Sequence, residues 1–145
     1  MQDRTARQRV LDDYFAAHNA GRIEAVLACY AADARLEEVA SGASRQGCDA
    51  LRRGLEGFLA LFRGAHFDCG PRIVAGDSIV CPYTLSAEVA RDLGPLRLAG
   101  RRIRLPGVQV MTFDGEAIAL VRDFWDFDAL AAQARPAEPQ PASEP

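Results

Sequence analysis

"YFAAHNAGRIEAVLACYAADARLEE", residues 14–38, packs two helical stripes and the opening of a strand into one short stretch. Val10, Leu11, Tyr14, Phe15, Ala17 and His18 recur at helical spacing, which predicts a first helix over about 4–20 with Gly21 as its C-terminal stop. Ile23, Val26, Leu27 and Tyr30 repeat the i, i+3, i+4, i+7 pattern and predict a short second helix ending near 31–33, packed on the first as a hairpin. "ARLEEVA" (34–40) then alternates, with Ala34, Leu36 and Glu38 on one face and Arg35, Glu37 and Val39 on the other. A phenol opens this stretch and an acid closes it. If Tyr14 and Glu38 point into one cavity the chain is an enzyme; if not, it is a plain globular domain.

Outward from that stretch, "SGASRQG" (41–47) reads as a loop, and Leu51, Leu55, Phe58, Leu59 and Phe62 give the apolar stripe of a third helix over about 48–63, closed by Gly64. The remainder reads as strand: "AHFDCGPRIVAG", "DSIVCPYTLSAEVA", "LRLAGRRIRLPGVQVMTF" and "AIALVRDFWDF", punctuated by Gly76-Asp77, Gly94-Pro95 and Asp114-Gly115. Three helices followed by a meandering antiparallel sheet with a mixed edge is an α+β layout, with the helices covering one face of a curved sheet to make a cone. No internal repeat is visible. From Arg135 the chain reads "RPAEPQPASEP", four prolines in 11 residues and no large apolar side chain, so it has nothing to bury. The expected division is a domain over 1–133 and a disordered proline-rich tail over 134–145, and a chain ending at Gln133 is expected to fold as stably as the whole.

At 145 residues the chain suits one domain with a core that needs no staple. Cys29, Cys48, Cys69 and Cys81 are widely spaced, with no C-x-x-C pair and no nearby histidine pair, which points to reduced thiols, no metal site and a cytoplasmic location. The opening "MQDRTARQRVLDDYF" is too charged for a signal peptide, and no apolar run approaches the ~20 residues of a membrane helix. The 17 basic residues are all arginine, yet the net charge is −3, without the positive field that nucleic-acid binding requires. The local run Arg97, Arg101, Arg102, Arg104 reads as edge protection on an outer strand face.

The order of these elements and the letters "YFAAHNAGRIEAVLACYAADARLEE", Gly47 before the third helix, "CPYTL", "GVQVMTFDGEAI" and "RDFWD" resemble the nuclear transport factor 2-like superfamily, a cystatin-like fold, and within it the ketosteroid isomerase and SnoaL-like branches. The resemblance spans about residues 6–132. It implies roles position by position. Tyr14 falls where ketosteroid isomerases carry a tyrosine that donates a hydrogen bond to the forming enolate. Glu38 falls at the general base, an acid one methylene longer than the aspartate there, with Val39 in place of a proline. Gln109 replaces a protonated aspartate, and its amide donates without a shifted pKa. In "LVRDFWD", Asp123 shares a strand face with Val121 and Trp125, and limonene-epoxide-hydrolase-like proteins place an acid there; "PYTLSAEV" offers no match for the arginine and second aspartate of that set.

Each candidate has a structural alternative. Tyr14 reads equally as a satisfied core tyrosine and Glu38 as a solvated strand-end acid, while Gln109 and Asp123 are costly among apolar neighbours unless paired. His18 and His66, the latter in a turn, have no Ser or Cys partner at readable spacing, so a nucleophilic triad is not expected. Asp12, Asp13, Asp126 and Asp128 read as solvated charges. The expectation is a cofactor-independent acid/base enzyme acting on a small hydrophobic molecule, of isomerase, cyclase or dehydratase type. Its catalytic set is Tyr14, Glu38, Gln109 and Asp123, and its pocket is lined by Leu36, Leu55, Phe58, Met111, Val121 and Trp125. Water addition to an epoxide through Asp123, and a non-catalytic ligand-binding or dimerisation module, stand as alternatives. The resemblance also implies a homodimer through the outer sheet face carrying Arg102, Arg104, Arg122 and Phe124.

Overall fold

Gly21 stops the first helix by adopting a backbone conformation that side-chain-bearing residues resist. In the computed structural model, which describes residues 2–136, α1 (Gln2–Asn19) ends with Gly21 at φ 68°. The Gly21 N–H donates to the His18 carbonyl and the Arg22 N–H to the Ala17 carbonyl, the paired bonds of a Schellman cap. The Asn19 side chain then clamps the backbone of Phe67, donating to its carbonyl at 3.1 Å and accepting from its N–H at 2.7 Å. Two local devices therefore fix the end of α1 against the sheet.

The second helix, α2 (Ile23–Leu27), is shorter than its spacing predicts. Tyr30, expected on its last turn, instead opens β1 (Tyr30–Glu38), because the chain there pairs with Ile118 of the final strand. The expected loop after β1 holds a strand, β2 (Ala43–Gln46), which forms a hairpin with β1; its four residues are all exposed, so no apolar alternation marked it. Helix α3 (Cys48–Leu61) buries Leu51 and Leu55. Gly64 does not cap this helix. It sits at φ 60° within β3 (Phe62–Cys69), where the pairing to β5 slips between Arg63 and His66, and His66 lies on that strand rather than in a turn.

"AHFDCGPRIVAG" divides into β3 and the short β4 (Ile73–Ala75). The strand β5 (Ser78–Val89) alternates half-buried and buried residues without a break. β6 (Arg102–Asp114) starts later than expected, after a connection that buries Leu98, and β7 (Ala117–Trp125) completes the sheet. A fourth helix, α4 (Phe127–Ala131), follows where none was expected; the Asp126 carboxylate accepts the Asp128 N–H and caps it.

The strand order is β2-β1-β7-β6-β5-β3, with β4 on β5. β1 runs parallel to β7 and the other pairs are antiparallel, so the sheet is mixed, as expected. It is curved and unclosed, and helices cover its concave face, the α+β cone that the sequence predicts. Leu11, Tyr14 and Phe15 of α1 are at most 5% exposed against this face, each burial contributing roughly 1.5–3 kcal/mol. At the C-terminal end the Gln133 side chain bonds both the N–H and the carbonyl of Arg104, and the Arg135 N–H donates to the Arg97 carbonyl at 2.8 Å. Most of the proline-rich tail, residues 137–145, lies outside the described residues. No described helix is long and apolar enough to cross a membrane.

Candidate active site

Strand register assembles the site. Glu38 pairs with Asp123, Asp123 with Gln109 and Gln109 with Cys81, so one row across four strands carries three of the four expected catalytic side chains. The next row pairs Tyr83 with Gly107 and Gly107 with Trp125. Gly107 has no side chain, and the Tyr83 ring crosses the space this leaves to donate its hydroxyl to Asp123 Oδ1 at 2.7 Å. Gln109 Nε2 faces Asp123 Oδ2 at 3.4 Å, a long contact, while Gln109 Oε1 is buried without a partner among the described residues.

The carboxyl of Asp123 faces a cavity of about 500 Å³. Tyr14, Glu38, Gln109 and Asp123 all line it, as do Leu36, Leu55, Phe58 and Trp125. Met111 and Val121 do not: both are fully buried in the core one row deeper, where Met111 pairs with Val121 and Val121 with Leu36. Alternation fixed their face of the sheet and not their depth along the cone. Phe62, Phe67 and Phe127 add aromatic surface, and Glu38, Ser41, Arg45 and Arg91 stand among the polar residues of the wall. Arg45 pairs with Leu36 and lies across Gly54 of α3.

Tyr14 is 1% exposed and its hydroxyl lies 3.1 Å from that of Tyr30. One hydroxyl donates to the other, so the pair keeps one O–H unused. Burial raises both phenols, Tyr14 well above its usual range and Tyr30 to about 12, so near neutral pH both keep their protons and the pair can donate a hydrogen bond. Asp123 is the reverse case. Burial pushes its carboxyl up to about 6, the Glu38 charge adds to the rise, and the bonds from Tyr83 and Gln109 offset part of it. An acid with a midpoint near neutrality in an aromatic cavity can both take and return a proton.

Tyr83, Tyr30 and Gly107 were not among the residues singled out by sequence. The alternation Cys81, Tyr83, Leu85 already placed Tyr83 on the inner face; its reach over Gly107 depends on cross-strand register. A second, more open groove of about 910 Å³ between α1, α2 and the β6–β7 turn has alanines as half of its lining, and its acids Asp13, Asp114 and Glu116 are all exposed.

In this α+β cone a part-buried carboxylate, two phenols and an amide converge on one aromatic cavity. The chain belongs to the SnoaL-like domain family, whose pattern matches residues 11–121. No protein with a curated description matches it. Among solved structures, it is similar to a candidate polyketide cyclase from Xanthomonas campestris, with 21% identity over 90% of this chain and 98% of that one and a TM-score of 0.81. It is also similar to a protein of ketosteroid isomerase-like fold from Catenulispora acidiphila in complex with trimethylamine, with 19% identity over 91% and 97% and a TM-score of 0.75. A third is the epoxide hydrolase/cyclase-like enzyme SalBIII of pyran ring formation in salinomycin, with 21% identity over 89% and 97% and a TM-score of 0.76. At these identities the likeness establishes the fold.

Proposed function

We propose that this protein is a cofactor-independent acid/base enzyme that moves a proton at a carbon beside a carbonyl in a small, flat hydrophobic molecule, isomerising or cyclising it. The observation that carries this reading is Asp123: a carboxyl held near pH 6 by burial, aimed into an aromatic cavity and braced by Tyr83 and Gln109. The SnoaL-like family and the candidate cyclase among its structural neighbours support the same chemistry.

Asp123 accepts the proton, and the unused O–H of the Tyr14–Tyr30 pair donates to the enolate oxygen that forms. The enolate then either takes the proton back at another carbon or attacks a second carbonyl, forming a carbon–carbon bond while protonated Asp123 delivers its proton to the new alkoxide. Glu38, the base implied by the resemblance, takes a supporting part in this reading: its charge raises Asp123 from the neighbouring strand. Water addition to an epoxide, with Asp123 activating the water, is the second reading, supported by the epoxide hydrolase/cyclase-like enzyme among the structural neighbours.

Solvent-deuterium exchange at the acidic carbon of 2-tetralone and related cyclic ketones, followed by proton NMR, tests the first reading. Exchange should exceed the buffer rate, rise about tenfold per pH unit below about 6 and level off above it. Exchange no faster than buffer across such ketones would leave a binding module or the epoxide reading.

We further propose a homodimer through the outer sheet face. Val80, Pro82, Val108, Val110 and Phe124 form a half-exposed apolar strip there across three strands, with Arg122 stacked on Phe124 at 5.1 Å. Light scattering at micromolar concentration should give twice the chain mass, and a monomer would defeat the assignment. A reducing cytoplasm suits the four free thiols.

A further inference from the structure

His18 is a polar side chain of the cavity wall that the proposed chemistry does not use. Both of its ring nitrogens are shut off from solvent and neither has a hydrogen-bond partner among the described residues. The rings of Tyr14, Phe67 and Phe58 surround it at centroid distances of 4.6, 5.4 and 6.3 Å, all edge-on. The Schellman cap holds the backbone at His18 and the adjacent Asn19 clamps α1 to Phe67, so a ligand oxygen reaches a ring nitrogen only when the imidazole itself turns toward the cavity. Burial lowers its pKa to about 4, so near neutral pH the imidazole is uncharged, with one N–H to donate and one bare nitrogen to accept.

Buried polar atoms without partners are rare and costly, and each one calls for an explanation. A phenylalanine would occupy the same aromatic nest at no such cost. The group is uncharged near neutral pH and lies on the wall of a cavity that Gln109, with its own partnerless Oε1, also lines. Phe67 packs on both His18, at a ring distance of 5.4 Å, and the Tyr83 ring that braces Asp123, at 5.1 Å.

We propose that His18 is a recognition residue at the α1 side of the cavity, its imidazole hydrogen-bonding a hydroxyl or carbonyl oxygen of a ligand whose other end meets Asp123. This rests on the reading of the cavity as the site for a flat hydrophobic substrate, and it narrows that substrate to one bearing oxygen functions at both ends. His18 touches no reacting atom in this account; it sets register and selectivity.

Calorimetric titration of the full chain with 2-naphthol and with 2,6-dihydroxynaphthalene tests the assignment in wild type, His18→Phe, His18→Gln and Asp123→Asn. The second hydroxyl should tighten wild-type binding about tenfold. His18→Phe should melt no lower than wild type, bind 2-naphthol within about twofold of it and lose the gain from the second hydroxyl. His18→Gln, which keeps a donor and an acceptor, should restore part of that gain. Retention of the full gain in His18→Phe would overturn the proposal while leaving the cavity reading intact, as would equal weakening of both ligands with a lowered melting temperature. Failure of both naphthols to bind wild type would overturn the cavity reading, and the proposal with it.

Discussion

Asp123→Asn is expected to lower proton-exchange activity by about 10²–10⁴-fold, the usual contribution of a positioned base, and to raise the melting temperature at pH 8. The stability gain follows from the direction of the pKa shift. Burial holds the folded-state Asp123 near 6, above its ordinary 3.8, so its contribution to stability is present below pH 4 and is lost as pH rises through 6. The shift corresponds to at most about 3 kcal/mol at pH 8. Asparagine keeps the acceptor for Tyr83, and rotation of the Gln109 amide turns its partnerless oxygen toward the new amide. A gain of roughly 3–8 °C is therefore expected, disappearing below pH 4.

His18 works in the opposite direction over nearly the same window. Its folded-state pKa is lowered from 6.5 to about 4, so its contribution is present above pH 6.5 and is lost as pH falls through 4. In the wild type the two largely offset each other. Thermal melts across pH 4–7 should show Asp123→Asn losing stability on acidification and His18→Phe gaining it relative to wild type; parallel curves would show that one of the two groups titrates normally.

The second large effect is expected at a residue with no side chain. A Cβ at Gly107 would overlap the Tyr83 hydroxyl and ring and come within 2.9 Å of the Phe124 carbonyl, so Gly107→Ala must displace a buried ring or the β7 backbone. Overpacking of this kind costs about 1–3 kcal/mol, and the lost Tyr83 bond to a carboxylate about 1.5–3 more. That bond also lowers Asp123, so its loss moves the carboxyl midpoint upward. Tyr83→Phe should produce the same upward movement with a smaller loss of stability, since it deletes the hydroxyl and keeps the ring. A Gly107→Ala protein with wild-type melting temperature and midpoint would show that Tyr83 does not depend on this gap.

How far the sequence could be read depended on whether the deciding interaction was local. The end of α1 was legible because the Gly21 cap is a matter of neighbouring residues, and β5 because its alternation is unbroken. Strand phase placed Glu38 and Asp123 on the inner face, and the family resemblance pointed to Gln109 beside them. It failed where pairing between distant segments decides. Tyr30 fits helical spacing yet is drawn into β1 by Ile118, and β2 is polar throughout and exists only as the partner of β1. Phase also says nothing of depth, which is why Met111 and Val121 fall in the core while Leu36, in the same row, reaches the cavity wall. The brace on Asp123 needs Tyr83, Gly107 and β7 in register, information spread over more than 40 residues of chain in ~three strands.

The central claim is that Asp123 is a carboxyl lifted toward neutrality by its place in the cavity and by Glu38. Carbon-detected NMR titration of the Asp123 side-chain carboxyl, in wild type and in Glu38→Gln, tests it most directly. The expected midpoint is about 6 in wild type, and lower once the Glu38 charge is removed. A midpoint near the ordinary ~4, unmoved by Glu38→Gln, would contradict the account and leave the cavity without its base.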